Sequence, residues 1–315
     1  MFGRGTLLYV LATVGALGLA PGLAQCAVAE PLMLMHQGIE RSAWLHQPPA
    51  TGDGPRPLIV ALHGQGQSVE NLRGASGCCS LPLDGVADRE GFLVLYPQAI
   101  DLRWSYGRPT VAAMPSVGDA PVDDVGFIRQ LIDDLIARKL ADPARVYVTG
   151  VSRGGLMAYT LACALADRIA AAVPIITGMT DLQREDCKPA RPIPILVIAG
   201  TNDPVQSYDG AQLVLGRLLS VPETVEFWRT LHGCTRPDPR LLPHREESDP
   251  TRLVRVDWLG CKNDAPVSLY RVRGGGHQVP SFNASTDEAT RQFGRRNRDI
   301  ETVEEIWTFV KTLSR

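Results

Sequence analysis

A serine, an aspartate and a histidine that together could break an acyl bond follow one another along this chain. Ser152 lies in Gly150-Val151-Ser152-Arg153-Gly154-Gly155. A serine hydroxyl is a weak nucleophile at neutral pH; it needs a base within hydrogen-bond reach, and the base needs an acid to orient it. Glycines two before and two after a serine leave room for the strained turn that lifts a nucleophile from a strand into a helix. Three histidines follow Ser152. His232 falls in a predicted helix and His244 in a polar stretch, whereas His277 follows Gly274-Gly275-Gly276, a flexible loop that can carry an imidazole over the serine. For the acid, Asp203 comes directly after the apolar run Ile195–Ala199; Asp181, Asp186 and Asp209 are its competitors. The backbone N–H groups of Gln65, in Leu62-His63-Gly64-Gln65-Gly66, and of Arg153 are the candidate donors to a developing oxyanion, and His63 is read as a structural residue holding that loop. Taken singly, each of these residues is also compatible with an ordinary turn or surface loop.

The order gains meaning from the elements around it. Pro57–Leu62, Phe92–Tyr96, Arg145–Thr149, Ala171–Ile176, Ile195–Ala199 and Val267–Val272 are short continuous apolar runs, as expected of strands buried on both faces. Residues 33–48 alternate and predict an antiparallel strand pair. Helical spacing joins Val125, Ile128, Leu131, Ile132, Leu135 and Ile136, with Asp123 or Asp124 as the cap, and a second helix is expected over Leu156–Ile169. Ser220 with Glu223, and Thr302 with Glu305, have capping-box spacing, and Gly233 would end the first of these two helices. The polar stretch Arg236–Thr251 reads as a long loop. Strands alternating with helices imply an α/β fold with a mostly parallel central sheet covered by helices on both faces. The candidate serine, acid, base and oxyanion loop each fall at the end of one of these strands.

The chain has 315 residues and a net charge of −2, so nothing favours nucleic acid or an acidic membrane surface as a partner. Arg4, the apolar run Leu7–Leu19 and the Ala27-Val28-Ala29 triplet have the layout of a signal peptide over residues 1–29, leaving a single catalytic domain over 31–315. An uncleaved anchor and lipidation at Cys26 are the competing readings of this segment. Export would place the remaining six of seven cysteines in an oxidising compartment, where disulfides are expected, and none of their spacings is a zinc signature.

The stretches ALHGQGQS, REGFLVLYPQA, RVYVTGVSRGGLMAY, PIPILVIAGTNDPV, RVRGGGHQVP and RDIETVEEIWTFV resemble the secreted polyhydroxybutyrate depolymerase / feruloyl esterase family of α/β-hydrolases. The resemblance covers nearly all of the chain beyond the N-terminal segment. It implies an α/β-hydrolase fold and carboxylic ester hydrolysis through an acyl-enzyme on Ser152, Asp203 and His277, with no metal or organic cofactor. Two departures bear on the substrate. Arg153 stands where relatives often have Asn or Ala, and Trp104-Ser105-Tyr106-Gly107 replaces a Trp-Asn-Asp-Gly-like stretch. Trp104, Tyr106, Gln278 and Phe282 are candidates to line the cleft, with small or oligomeric esters as the expected substrates. The resemblance also suggests Cys163–Cys187 and Cys234–Cys261 as disulfides, and adjacent Cys78 and Cys79 as either a vicinal disulfide or two thiols. A peptidase or acyltransferase on the same fold, or a binding protein that has lost catalysis, are the rival functions.

Overall fold

The computed structural model describes residues 28–49, 54–74, 77–107, 116–117, 120–213 and 216–315. The N-terminal segment up to residue 27, including Cys26 and most of the expected signal peptide, lies outside the described residues.

In chain order the strands and helices are β1 (Val28–His36), β2 (Ile39–Gln47), β3 (Arg56–Leu62), α1 (Val69–Arg73), α2 (Asp84–Glu90), β4 (Leu93–Pro97), β5 (Ser116–Val117), β6 (Ala120–Pro121), α3 (Asp124–Ala137), β7 (Ala141–Val151), α4 (Arg153–Ala164), β8 (Ala171–Ile175), α5 (Asp181–Asp186), β9 (Ile195–Gly200), β10 (Ala211–Gln212), β11 (Arg217–Leu218), α6 (Val221–Leu231), β12 (Arg236–Leu241), β13 (Arg252–Leu259), β14 (Val267–Arg273), α7 (Asp287–Phe293) and α8 (Thr302–Val310). Ten strands form one sheet in the order β1-β2-β4-β3-β7-β8-β9-β14-β13-β12. The six central strands, from β4 to β14, pair in parallel, and an antiparallel pair flanks them on each side. The chain therefore has the α/β architecture with a mostly parallel sheet expected from its alternating runs.

The continuous apolar runs serve two cores at once. In β3, Leu58, Val60 and Leu62 pack into the cluster under α3, α4 and α6, while Ile59 and Ala61 face the cluster under α1, α2 and α8. In β9, Ile195, Val197 and Ala199 face the first cluster, and Leu196 and Ile198 the second. Period-two alternation thus sorts side chains between two helical layers rather than between core and water.

The β1–β2 hairpin turns at Gln37 and Gly38, both at positive φ, the backbone that a two-residue hairpin loop requires. The hairpin begins at Val28, ahead of the expected cleavage point after Ala29. Asp123 caps α3 by accepting from the Gly126 N–H at 2.8 Å, and Ser220 forms its capping box with Glu223. Gly233 follows α6 at φ 65°.

Three expectations are corrected. The Arg236–Thr251 stretch is not all loop: its first part is β12, at the sheet edge, where Pro237 and Pro239 can sit because an edge strand need not donate on its outer side. Thr302 does not cap α8; Glu301 precedes the helix, and the buried Thr302 hydroxyl donates to the Pro280 carbonyl at 2.7 Å. The helix expected over Leu156–Ile169 is α4, which starts at Arg153, directly after Ser152, and stops at Ala164.

Candidate active site

Four loops leave the same edge of the parallel sheet, at the C-terminal ends of β3, β7, β9 and β14. Gly64 and Gln65 follow β3, Ser152 follows β7, Asp203 follows β9, and His277 follows β14. Parallel strands bring all their C-terminal ends to one side, so Ser152 and His277, 125 positions apart, meet there.

Ser152 stands between β7 and α4 with φ 56° and ψ −119°, a backbone that non-glycine residues adopt only when their surroundings enforce it. The glycines around it are needed for close approach. A Cβ on Gly150 would collide with the Gly154 carbonyl, one on Gly154 with the Leu62 and His63 carbonyl oxygens, and one on Gly155 with the Thr177 methyl group. The turn therefore presses directly on the end of β3, and the Ser152 N–H is held by the Ile175 carbonyl at 2.9 Å.

The Ser152 Oγ lies 3.0 Å from His277 Nε2, and His277 Nδ1 lies 2.7 Å from Asp203 Oδ2. All three side chains are buried. The second Asp203 oxygen accepts from the Val205 and Gln206 N–H groups, at 2.8 Å each, which fixes the carboxylate plane. With the carboxylate accepting at Nδ1, the ring carries its proton there and presents Nε2 as the acceptor toward the serine hydroxyl.

The glycine run before His277 is not the free hinge expected from its composition. Gly274 turns the chain at φ 74°, and its N–H donates to Thr201 Oγ1 at 2.9 Å. A Cβ on Gly276 would strike the Phe293 carbonyl, and one on Gly200 would strike the Gly275 carbonyl. The Asn202 N–H reaches the Gly275 carbonyl at 2.8 Å, and the His277 N–H reaches Phe293 O at 2.6 Å. The glycines thus let the acid loop and the histidine loop pack backbone to backbone, which clamps the imidazole.

In the loop after β3, the Gly64 N–H donates to Gln67 Oε1, the Gly66 N–H to Leu102 O and the Gln67 N–H to Gly64 O. Among the described residues no acceptor meets the Gln65 N–H. His63 is fully buried and anchors this loop: its Nδ1 donates to Gly64 O at 2.8 Å, and its Nε2 accepts from the Ala99 N–H and the Gln98 side chain. Burial pushes its imidazolium pKa down to about 4, so the ring is neutral. His232 ends α6 as a buried cap, and His244 pairs with Asp299. Asp181 starts α5 and supports the β11 turn through Arg217 N.

Ser152 and His277 open onto a cleft of about 630 Å³ whose walls include Gln65, Arg153, Tyr106, Leu156, Val205 and Phe293. Tyr106 lies where expected. Trp104, Gln278 and Phe282 do not line it. Trp104 is fully buried beneath the loop after β3, with its Nε1 donating to His63 O at 2.9 Å and its ring 4.9 Å from that of His63. An indole with an internal acceptor is more stable inside than facing water. Gln278 is buried too and ties loops together, donating to Gly294 O and accepting from Ser285 Oγ. Phe282 is exposed under the Arg245 guanidinium instead.

The sequence left Cys78 and Cys79 as a disulfide or two thiols without placing them at the cleft, and it missed a buried ion pair that supports the cleft from behind. Cys78 and Cys79 form a vicinal disulfide that lines the cleft, and the Cys78 carbonyl accepts from the Val279 N–H two residues after His277. A buried pair, Arg41 and Asp124, sits at 2.5 Å, and the other Asp124 oxygen accepts from the Ser105 N–H at 2.7 Å, fixing the segment that carries Trp104 and Tyr106. No local pattern could announce a pair 83 residues apart. The other two cysteine pairs form as the resemblance implied: Cys163–Cys187 and Cys234–Cys261.

A parallel sheet with helices on both faces and a strained serine turn between a central strand and a helix match the α/β-hydrolase fold. The fold is shared with an acetyl xylan esterase from Aspergillus awamori, at a TM-score of 0.53 and 17% identity over 81% of this chain and 94% of that one. Residues 41–218 match the esterase PHB depolymerase family, and the chain belongs to that family. It is 31% identical over 262 residues to the putative esterase NocK of Nocardia uniformis subsp. tsuyamanensis, covering 77% of this chain and 72% of that protein. It is 33% identical over 240 residues to feruloyl esterase B of Piromyces equi, covering 72% of this chain but only 40% of that longer protein.

Proposed function

We propose that this chain is an exported serine esterase that cleaves small or oligomeric carboxylic esters through an acyl-enzyme. The observation that carries the reading is the line Ser152–His277–Asp203, at 3.0 and 2.7 Å, at the mouth of the cleft. Ser152 Oγ attacks the ester carbonyl while His277 Nε2 takes the hydroxyl proton. The imidazolium is stabilised by Asp203, then gives that proton to the leaving alcohol. Water repeats the sequence on the acyl-enzyme, releasing the acid and restoring Ser152. The Gln65 and Arg153 N–H groups stabilise the oxyanion formed in each half-reaction, and α4, which begins at Arg153, adds its N-terminal dipole. The names of the relatives, a feruloyl esterase and an acetyl xylan esterase, support ester rather than amide bonds.

Replacing Ser152 with Ala should lower kcat on short p-nitrophenyl esters by roughly three or more orders of magnitude, with the fold intact by circular dichroism. A variant that keeps most of its turnover would refute the assignment. Three disulfides support an oxidising compartment, as does the expected signal peptide. N-terminal sequencing of protein recovered outside the cytoplasm should begin at Glu30; a start at Met1 would refute export by cleavage, and a lipid-modified start at Cys26 would replace it with anchoring.

A further inference from the structure

Cys78 and Cys79 line the cleft together with Ser152 and His277, yet the proposed chemistry gives them no task. Their bond joins neighbours in the chain, whereas Cys163–Cys187 and Cys234–Cys261 span 24 and 27 positions. A disulfide stabilises a fold mainly by closing a loop of the unfolded chain, and a bond between adjacent residues closes none. Its effect is therefore local: both side chains are tied to the peptide bond between them, and that stretch of backbone loses most of its freedom. The same backbone bears on the histidine. The Cys78 carbonyl accepts from the Val279 N–H at 2.8 Å, and Cys79 Sγ lies 4.0 Å from the His277 carbonyl oxygen. Cys79 is buried in the apolar cluster that also holds Leu81 and Val279, and the Arg296 guanidinium donates to the Gly77 carbonyl just before the pair. The other backbone hydrogen bonds of residues 277–280 run to Phe293 and Thr302, later in the chain. Among the described residues, the disulfide turn is thus what ties the backbone of this segment to the N-terminal half of the protein by a hydrogen bond.

Resting on the esterase reading above, we infer that the Cys78–Cys79 disulfide is a positioning element for His277: the closed bond aims the Cys78 carbonyl at the Val279 N–H and so fixes the chain where it leaves the histidine, keeping Nε2 on Ser152 Oγ. With the bond open, the two side chains turn independently, the Cys78 carbonyl loses its fixed direction, and the imidazole spends less time within reach of the serine. A dithiol opens the bond by a balanced exchange. One thiolate attacks a cysteine sulfur and the S–S bond breaks. The second thiol then closes the reagent into a cyclic disulfide, and the reagent's two protons end on Cys78 and Cys79.

The test compares the wild type with the double variant Cys78→Ser and Cys79→Ser on p-nitrophenyl butyrate. The variant should lose kcat by on the order of tenfold, with most of the loss in kcat rather than in KM, as expected when a reacting group is misplaced and binding is kept. Hydrogen exchange at the Val279 amide should quicken, and the melting temperature should stay near that of the wild type, because no loop has been opened. A variant with full kcat overturns the positioning role while the esterase reading stands; a lowered melting temperature beside that full kcat would make the bond a structural staple. If the wild type turns over no ester, the esterase reading fails, and exchange at Val279 decides the inference alone: faster exchange in the variant supports it, and unchanged exchange overturns it. Should the double variant not fold, dithiothreitol is added to the folded wild type and each disulfide is followed by peptide mapping. kcat should then fall in step with the opened fraction of Cys78–Cys79, not with that of the other two bonds, and return on reoxidation. Full kcat with that bond open overturns the inference.

Discussion

Ser152 holds a positive φ because everything around it is in contact: the Ile175 carbonyl on its N–H, the β3 end against Gly154, and His277 on its hydroxyl. Spacing alone put forward Ser152, Asp203 and His277, since each follows an apolar run and their order suits the proposed reaction. Their separations could not be read from it, nor could the burial of Trp104 and Gln278, because a polar edge on a large side chain does not say which way the side chain points. Gly154 offers a test at this scale. Gly154→Ala places a methyl group against the Leu62 and His63 carbonyl oxygens, where β3 passes into its following loop. It should destabilise the protein by about 1–3 kcal/mol and displace that loop. Thermal unfolding and the rate of fluorophosphonate labelling at Ser152 should both fall. Normal labelling in a folded Gly154→Ala protein would mean that the turn does not press on β3.

At the scale of elements, the strand runs and the α3 and α6 helices were legible because periodicity and capping are local. What failed was non-local. β12 carries two prolines and few apolar residues, and only its place at the sheet edge beside β13 makes it a strand. Thr302 and Ser220 look alike in sequence, yet Ser220 has its hydroxyl on the Glu223 N–H at 3.1 Å, whereas Thr302 has its hydroxyl on Pro280 O. Ser220→Ala should therefore cost about 1 kcal/mol, the ordinary loss of a helix cap, read as a lower urea midpoint with an unchanged slope. No change in midpoint would show that the Arg217–Glu223 ion pair holds the helix start by itself.

Across the whole molecule, two buried histidines couple the fold to pH. His63 anchors the loop after β3 and His232 closes α6 against the Ala265 carbonyl at 3.1 Å. Burial pushes both imidazolium pKa values down to about 4 from an ordinary 6.5. Between those values the unfolded chain binds protons that the native state refuses. Stability is therefore complete above about pH 6.5 and is lost as pH falls toward 4, by up to about 3 kcal/mol per histidine. The melting temperature should decline steadily from pH 7 to 4.5, and His232→Asn, which can keep the donor to Ala265 O, should flatten part of that slope. A melting temperature independent of pH over this range would contradict neutral burial of the two rings. Cys163–Cys187 and Cys234–Cys261 act at this scale as well, the first tying α4 to the segment just before the acid-bearing β9.

The sequence by itself determined the alternation of strands and helices, the serine turn, and the order of Ser152, Asp203 and His277 at successive strand ends, because propensity, apolar period and glycine spacing act over a few residues. Tertiary structure alone decided the 3.0 and 2.7 Å contacts, the clamped glycine loop, the Arg41–Asp124 anchor and the direction of Arg153. Each depends on which strand ends the sheet order places side by side, and that order follows from burying two helical layers at once.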